Sequence, residues 1–331
     1  MTSRCPTTAT VDSPMRRTNP SGQLSLSPTQ QLSMRPTRHA PADVYGASVQ
    51  YTQLTCRSRD GELLNAKQWG TGADACILIH GFGDGAYVWD RFSPTIAKLF
   101  KTLTVDLRGH GDSSWDPAGR YDANGHVDDI LDLVDALEIR RFVLVGHSLG
   151  ADVAIRIASM RPSSVIGAVI IDFGPELNQE GAERVRRDFN DGACRWSTVR
   201  EYAAWLQARR PLADPAMIEE LARGALRTDP DFGYRLKCDP ALGKAYKAQQ
   251  QAEELWEMLK RISSPVLVIR GIGSAVLSRE VSDRMERVLQ NATSRTICGA
   301  GHAVMSDNPE GFEEALSPFL SQMKQRAWFS K

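Results

Sequence analysis

The chain has 331 residues, and its 40 lysines and arginines balance 40 aspartates and glutamates, so the formal net charge is zero. Hydrophobic residues make up 42% and charged residues 24%, the profile of a globular protein long enough for one large α/β domain, or for a core plus a smaller lid. Balanced charge argues against nucleic-acid binding, which ordinarily brings a basic surplus. The apolar runs are strand-sized, far below the roughly 20 residues of a membrane span.

Residues 1–45 are rich in Ser, Thr, Pro and Arg and poor in large apolar side chains. Such a segment buries too little surface to offset its ordering entropy, so an unstructured tail is expected there. It lacks the apolar core of a secretory signal. The six cysteines (Cys5, Cys56, Cys76, Cys194, Cys238 and Cys298) are scattered, with no metal-ligand spacing. Cys76 reads as a small buried hydrophobe, and a reducing cytoplasm is the expected setting.

From Val49 to Trp69 the pattern predicts a β-hairpin turning at Asp60-Gly61. Six apolar runs follow: Cys76–Ile79, Leu103–Val105, Phe142–Val145, Val165–Ile171, Val266–Ile269 and Ser294–Cys298. Most lack polar alternation, as expected of parallel strands covered on both faces. Amphipathic helices alternate with them. In one, Val127, Ile130, Leu131, Val134 and Leu137 share a face, with Asp128, Asp129, Asp132 and Asp135 expected largely on the other. A last helix follows Pro309, carrying Phe312, Leu316, Phe319, Leu320 and Met323. The fold class is therefore α/β, with a core over 46–175 and 262–325. Residues 176–261 show helical patterns without a clear strand and are expected to form an inserted helical cap. Asp214-Pro215 is a helix start within it. Its aromatics Trp196, Tyr202, Trp205, Tyr234, Tyr246 and Trp256 are read as packing, a few of them lining a pocket.

The sharpest chemical signal is Gly146-His147-Ser148-Leu149-Gly150, placed between the strand Phe142–Val145 and a helix. A serine on such a turn stands above the sheet edge, where the helix N-terminus favours developing negative charge. Gly146 and Gly150 remove clashing side chains, and Ala151 and Ala154 let the helix approach the strand. Three further segments join it: His80-Gly81-Phe82-Gly83 after a strand, Asp106-Leu107-Arg108-Gly109-His110-Gly111-Asp112-Ser113 after the next, and Gly301-His302 after the last. Together they resemble the α/β-hydrolase family from about Gln53 to Gln322.

The resemblance implies a mostly parallel central sheet and an acyl-serine mechanism. Ser148 is the implied nucleophile and His302 its base, with the backbone N–H groups of Phe82 and Leu149 as the oxyanion hole. No metal or organic cofactor is implied, and the expected partner is a small-molecule substrate, with neither nucleic acid nor membrane. His80 and His110 are expected to be structural, and His147 to shape the pocket.

One position departs from the family. The pattern places the third catalytic member at 275, and this chain has Ala275. Asp172, at the end of the strand Val165–Ile171, is the expected substitute, because some relatives such as haloalkane dehalogenases draw their acid from that strand. Glu280 is another carboxylate to weigh. A site with no acid would instead be slow or repurposed for ligand binding. The expected activity is cleavage of a carboxylic ester, or else of an amide or activated C–C bond. A non-catalytic ligand-binding homologue and an acyltransferase are the alternatives. A rival reading rests on Gly81-Phe82-Gly83-Asp84-Gly85-Ala86, which matches a dinucleotide fingerprint with Asp106 as the ribose acid. It leaves Ser148 and His302 unexplained. Asp172-Phe173-Gly174 lacks the companions of a kinase motif.

Overall fold

The computed structural model describes residues 32–35, 51–245 and 251–329. Its main sheet has nine strands: Leu32–Arg35 (β1), Tyr51–Arg57 (β2), Leu63–Trp69 (β3), Ala75–Ile79 (β4), Lys101–Asp106 (β5), Phe142–His147 (β6), Val165–Ile171 (β7), Val266–Gly271 (β11) and Ala292–Ile297 (β12). Arg195–Trp196 (β8), Leu226–Thr228 (β9) and Tyr234–Leu236 (β10) form a second, small antiparallel sheet. The main order is β1-β2-β3-β5-β4-β6-β7-β11-β12. β1, β2 and β3 are antiparallel, β3 joins β5 antiparallel, and the strands from β5 to β12 run parallel. The hairpin turns at Gly61, whose φ of 96° suits a residue without a Cβ.

Burial explains the strand composition. Every residue of β4 and β6 is buried, because helices cover both faces. Ile77 and Ile79 join one apolar layer with the helices Ala123–Ala136, Leu149–Met160 and Arg279–Val288. Cys76 and Leu78 join the other, with the helix Pro309–Phe329 and part of the insert. The last helix buries Phe312, Leu316, Phe319, Leu320 and Met323 there, as its spacing predicts. β12 is an edge strand, and its polar middle, alternately half-buried and exposed from Ala292 to Arg295, reflects one open side.

Three expectations change. The strand β1 falls inside the segment read as an unstructured tail: it continues the hairpin by pairing with β2. The rest of residues 1–50 lies outside the described residues. The insert after β7 contains β8, β9 and β10 besides its helices. Strands of two or three residues are too short to show a period. The helix Ala252–Arg261, placed in the cap by its position in sequence, belongs to the core instead: Leu255, Trp256 and Leu259 pack in the same layer as the helix Leu149–Met160. Tyr246 lies outside the described residues.

The acidic face of the helix Ala123–Ala136 is also only half solvated. Asp129 and Asp132 are buried. Arg108 donates to both oxygens of Asp129 at 2.7 and 2.5 Å and also pairs with Asp60 and Asp116. Arg59 binds Asp132. Burial raises the Asp129 carboxyl to about 6 against the pull of Arg108. These pairs fasten the hairpin turn and the loop after β5 to the helix.

Candidate active site

The parallel strands point their carboxyl ends to one rim, where the candidate residues collect. Ser148 follows β6 and heads the helix Leu149–Met160, with φ 51° and ψ −115°. This left-handed backbone is strained for a serine. The flanking glycines are sterically required. A Cβ on Gly146 would stand 2.2 Å from the Gly150 carbonyl oxygen, and one on Gly150 2.3 Å from that of Ile79. Ala151 and Ala154 are fully buried behind the turn.

His302 follows β12, and its Nε2 lies 3.2 Å from Ser148 Oγ. Its Nδ1 lies 2.8 Å from Asp172 Oδ2. Asp172 ends β7, fully buried, with φ 50°. Three non-glycine residues among those described have positive φ, and two of them are Ser148 and Asp172. The carboxylate is held from both sides. Oδ1 accepts from Gly271 N–H at 3.1 Å, and Oδ2 accepts from the Ser274 hydroxyl at 2.5 Å. Ser274 in turn accepts from the backbone of Val276 and Leu277. Ala275 therefore sits in the turn that braces Asp172 and supplies no acid itself. Glu280 opens the helix Arg279–Val288 as an exposed side chain.

The other histidines have separate places. His147 donates from Nε2 to the His302 carbonyl oxygen at 2.8 Å, and their rings lie 4.9 Å apart. Burial, with His302 adding repulsion, lowers its proton affinity to a pKa of about 3. Gly81 leaves room for it, since a Cβ there would meet His147 Nδ1 at 2.7 Å. His80 is buried after β4, its Nε2 accepting from Leu107 N–H at 3.0 Å. Its ring lies 5.0 Å from that of His110, which approaches the His126 ring at 6.2 Å. Burial lowers the proton affinity of all three.

Phe82 lies in the turn after β4, its ring against Phe189 of the insert, and Leu149 is the first residue of the following helix. Asp106 is structural. Its carboxylate accepts from Ala86 N–H, Asn65 Nδ2 and Asp112 N–H, which leaves no ribose acid for the dinucleotide reading.

Ser148, His147 and His302 open onto a cavity of about 290 Å³, whose far wall comes from the insert, Tyr202 and Trp205 included. Trp196 is buried instead, its indole donating to the Gly192 carbonyl. The sequence reading missed Ser274, Asp307, Asp84 and Arg210. Asp307 accepts from Gly301 N–H at 2.8 Å and steadies the turn carrying His302. Arg210 pairs with Asp84 at 3.1 Å. Asp84 stands in the glycine-rich stretch after β4, where only its neighbours were weighed, and the other three sit in no local motif.

A family model described as the alpha/beta hydrolase family matches residues 76–315. The chain belongs to the alpha/beta hydrolase family. It is 28% identical to the 2-(acetamidomethylene)succinate hydrolase of Mesorhizobium japonicum, over 78% of this chain and 91% of that protein. It is 29% identical to an sn-1-specific diacylglycerol lipase of Mus musculus, over 75% of this chain and 81% of the other. A crystal structure of an E-2-(acetamidomethylene)succinate hydrolase superposes with a TM-score of 0.73 at 26% identity, covering 82% of this chain and all of that one. An alpha/beta hydrolase from Novosphingobium aromaticivorans superposes with a TM-score of 0.75 at 24% identity, covering 83% and 99% respectively. Several relatives are thus hydrolases by name, a lipase among them.

Proposed function

We propose that this family member is a serine hydrolase that cleaves a carboxylic ester of a small molecule through an acyl-Ser148 intermediate. The observation that carries the reading is the continuous chain from Ser148 Oγ through the His302 ring to Asp172. His302 Nε2 takes the Ser148 proton as Oγ attacks the carbonyl carbon. Asp172 accepts the Nδ1–H, fixing the tautomer and balancing the imidazolium. The oxyanion is held by the backbone N–H groups of Phe82 and Leu149, donors worth about 3–4 kcal/mol each where measured elsewhere. His302 then protonates the leaving alcohol, and water, activated by the same imidazole, releases the acid.

The ligand-binding alternative drew its force from the missing acid at 275, and Asp172 at hydrogen-bond distance from His302 removes that ground. The insert acts as a cap in this scheme, shaping the acyl site. The described cysteines are free, which fits action in the cytoplasm. Among the described residues no helix is long and apolar enough to cross a membrane.

The test is labelling with a fluorophosphonate alongside hydrolysis of 4-nitrophenyl butyrate. Labelling should map to Ser148 and vanish with turnover in Ser148→Ala. A folded protein that neither labels nor hydrolyses activated esters refutes the reading.

A further inference from the structure

Three side chains with hydrogen-bond donors line the cavity, two from the insert and one from the short helix Ala86–Trp89 after β4, and the scheme above uses none of them. Arg210, Tyr87 and Tyr202 all line it, and each lies within electrostatic reach of the other two. Arg210 also walls the small recess beside His147, so its charge is felt at the Ser148 turn and at Asp307.

The arginines of this wall differ in what they are committed to. Arg209 lies against the Trp205 ring and faces Asp188 and Asp191. Arg184 is more than half exposed beside Asp188. Arg210 is three-quarters buried and makes one hydrogen bond to a carboxylate, from one terminal nitrogen to Asp84 Oδ1. Among the described residues that leaves most of its five N–H donors without an acceptor. The Tyr87 and Tyr202 hydroxyls donate to no described residue either, and burial keeps both phenols protonated. A guanidinium fork and two phenol donors lining one cavity are the donor types that bind a carboxylate. Asp84 offsets one unit of positive charge, which favours a monoanion over a phosphate dianion.

We propose that Arg210, Tyr87 and Tyr202 form a carboxylate-binding subsite in the cavity that Ser148 opens onto, and that the substrate is an acyl compound bearing a free carboxylate apart from the scissile group. The word substrate rests on the reading of Ser148 as nucleophile; the subsite itself does not. Bound this way, the carboxylate fixes the compound while the scissile carbonyl reaches Ser148, and Asp84 holds the guanidinium in place from behind.

The test separates binding from turnover. In Ser148→Ala, calorimetric titration with monomethyl glutarate should give an affinity at least about ten-fold above that for dimethyl glutarate, since one charge-assisted fork replaces an ester contact. Adding Tyr202→Phe should narrow the ratio several-fold, and adding Arg210→Gln should abolish it. Because Arg210→Gln leaves Asp84 without its partner and risks misfolding, Arg210→Lys serves as a second variant: it keeps the charge, loses the fork and should also lower the ratio. A purely structural ion pair would change stability without changing this discrimination. Equal affinity for the two esters, no binding of either, or a ratio untouched by all three substitutions overturns the proposal. Wild-type hydrolysis of neutral esters without discrimination in binding refutes the subsite alone. Discrimination in a protein that hydrolyses nothing refutes the acyl-serine reading and leaves the subsite standing.

Discussion

Replacing Asp172 by Asn changes one atom and removes one charge, and the surroundings make either orientation of the amide costly. With the amide oxygen at the Oδ2 position, Ser274 and His302 keep their acceptor, but the new NH2 faces the Gly271 N–H that now donates to Oδ1 at 3.1 Å. With the amide turned over, the NH2 faces His302 Nδ1 and forces the proton onto Nε2, the atom that must accept from Ser148. In both cases the imidazolium loses its counter-charge, in a pocket where Asp172 is fully buried and water cannot screen the loss. The same substitution in a serine protease triad lowers turnover by about 10⁴, or about 5 kcal/mol of barrier. A fall of about 10³ to 10⁴ in kcat is therefore expected on 4-nitrophenyl butyrate, with an unchanged circular dichroism spectrum as the control for folding. A folded Asp172→Asn protein with kcat within about three-fold of wild type would falsify the assignment of the acid. Ala275→Asp should not raise kcat in the wild-type background, because the site already has its carboxylate; a strong rise would show a crippled native centre.

Gly150→Ala drives a Cβ into the backbone carbonyls of Ile79 and His80, and neither oxygen belongs to a flexible side chain. A loss of about 1–3 kcal/mol is expected from such overpacking, read as a thermal midpoint several degrees lower, together with lost fluorophosphonate labelling. Arg108→Ala strands the buried Asp129, whereas Asp116 keeps its pair with Arg120. Breaking one side of a buried pair costs about 3–5 kcal/mol, so urea titration should show a much earlier midpoint, whereas an unchanged one contradicts the account of the network. Acid should also unfold the protein early. His126 and His147 are held neutral by burial, with folded values of about 3 against an ordinary 6.5. The unfolded chain takes up those protons first, so stability is intact above pH 6.5 and declines as pH falls toward 3. Each such group contributes up to about 1.4 kcal/mol per pH unit in that window. The urea midpoint should drop between pH 7 and pH 5, and His126→Phe should flatten the slope; a midpoint independent of pH over that range contradicts the burial account.

The sequence alone determined the architecture and singled out the two candidate reacting groups. The unbroken apolar runs of β4, β6, β7 and β11 required burial on both faces, and only a parallel sheet between helix layers provides that. Gly146 and Gly150 around Ser148 encode a turn that tolerates no side chain, so the serine was legible from local chemistry, and His302 from its place after the last strand. Asp172 was legible only as a candidate. Whether it reaches His302, 130 residues away, depends on β7 lying beside β11, with the turn around Ser274 folding over the carboxylate. The small sheet β8-β10-β9, the core placement of the helix Ala252–Arg261 and the buried partners of Asp129 and Asp132 escaped the sequence, because short strands carry no period and a helical face does not say what packs against it. The charged part of the cavity wall escaped for the same reason, although the aromatics Tyr202 and Trp205 were expected there. Arg210 and Asp84 meet across 126 residues, and an ion pair formed by chain crossing has no signature in either neighbourhood. Local sterics fix which residue can stand on a sharp turn, and only the packed chain decides which charges come to face it.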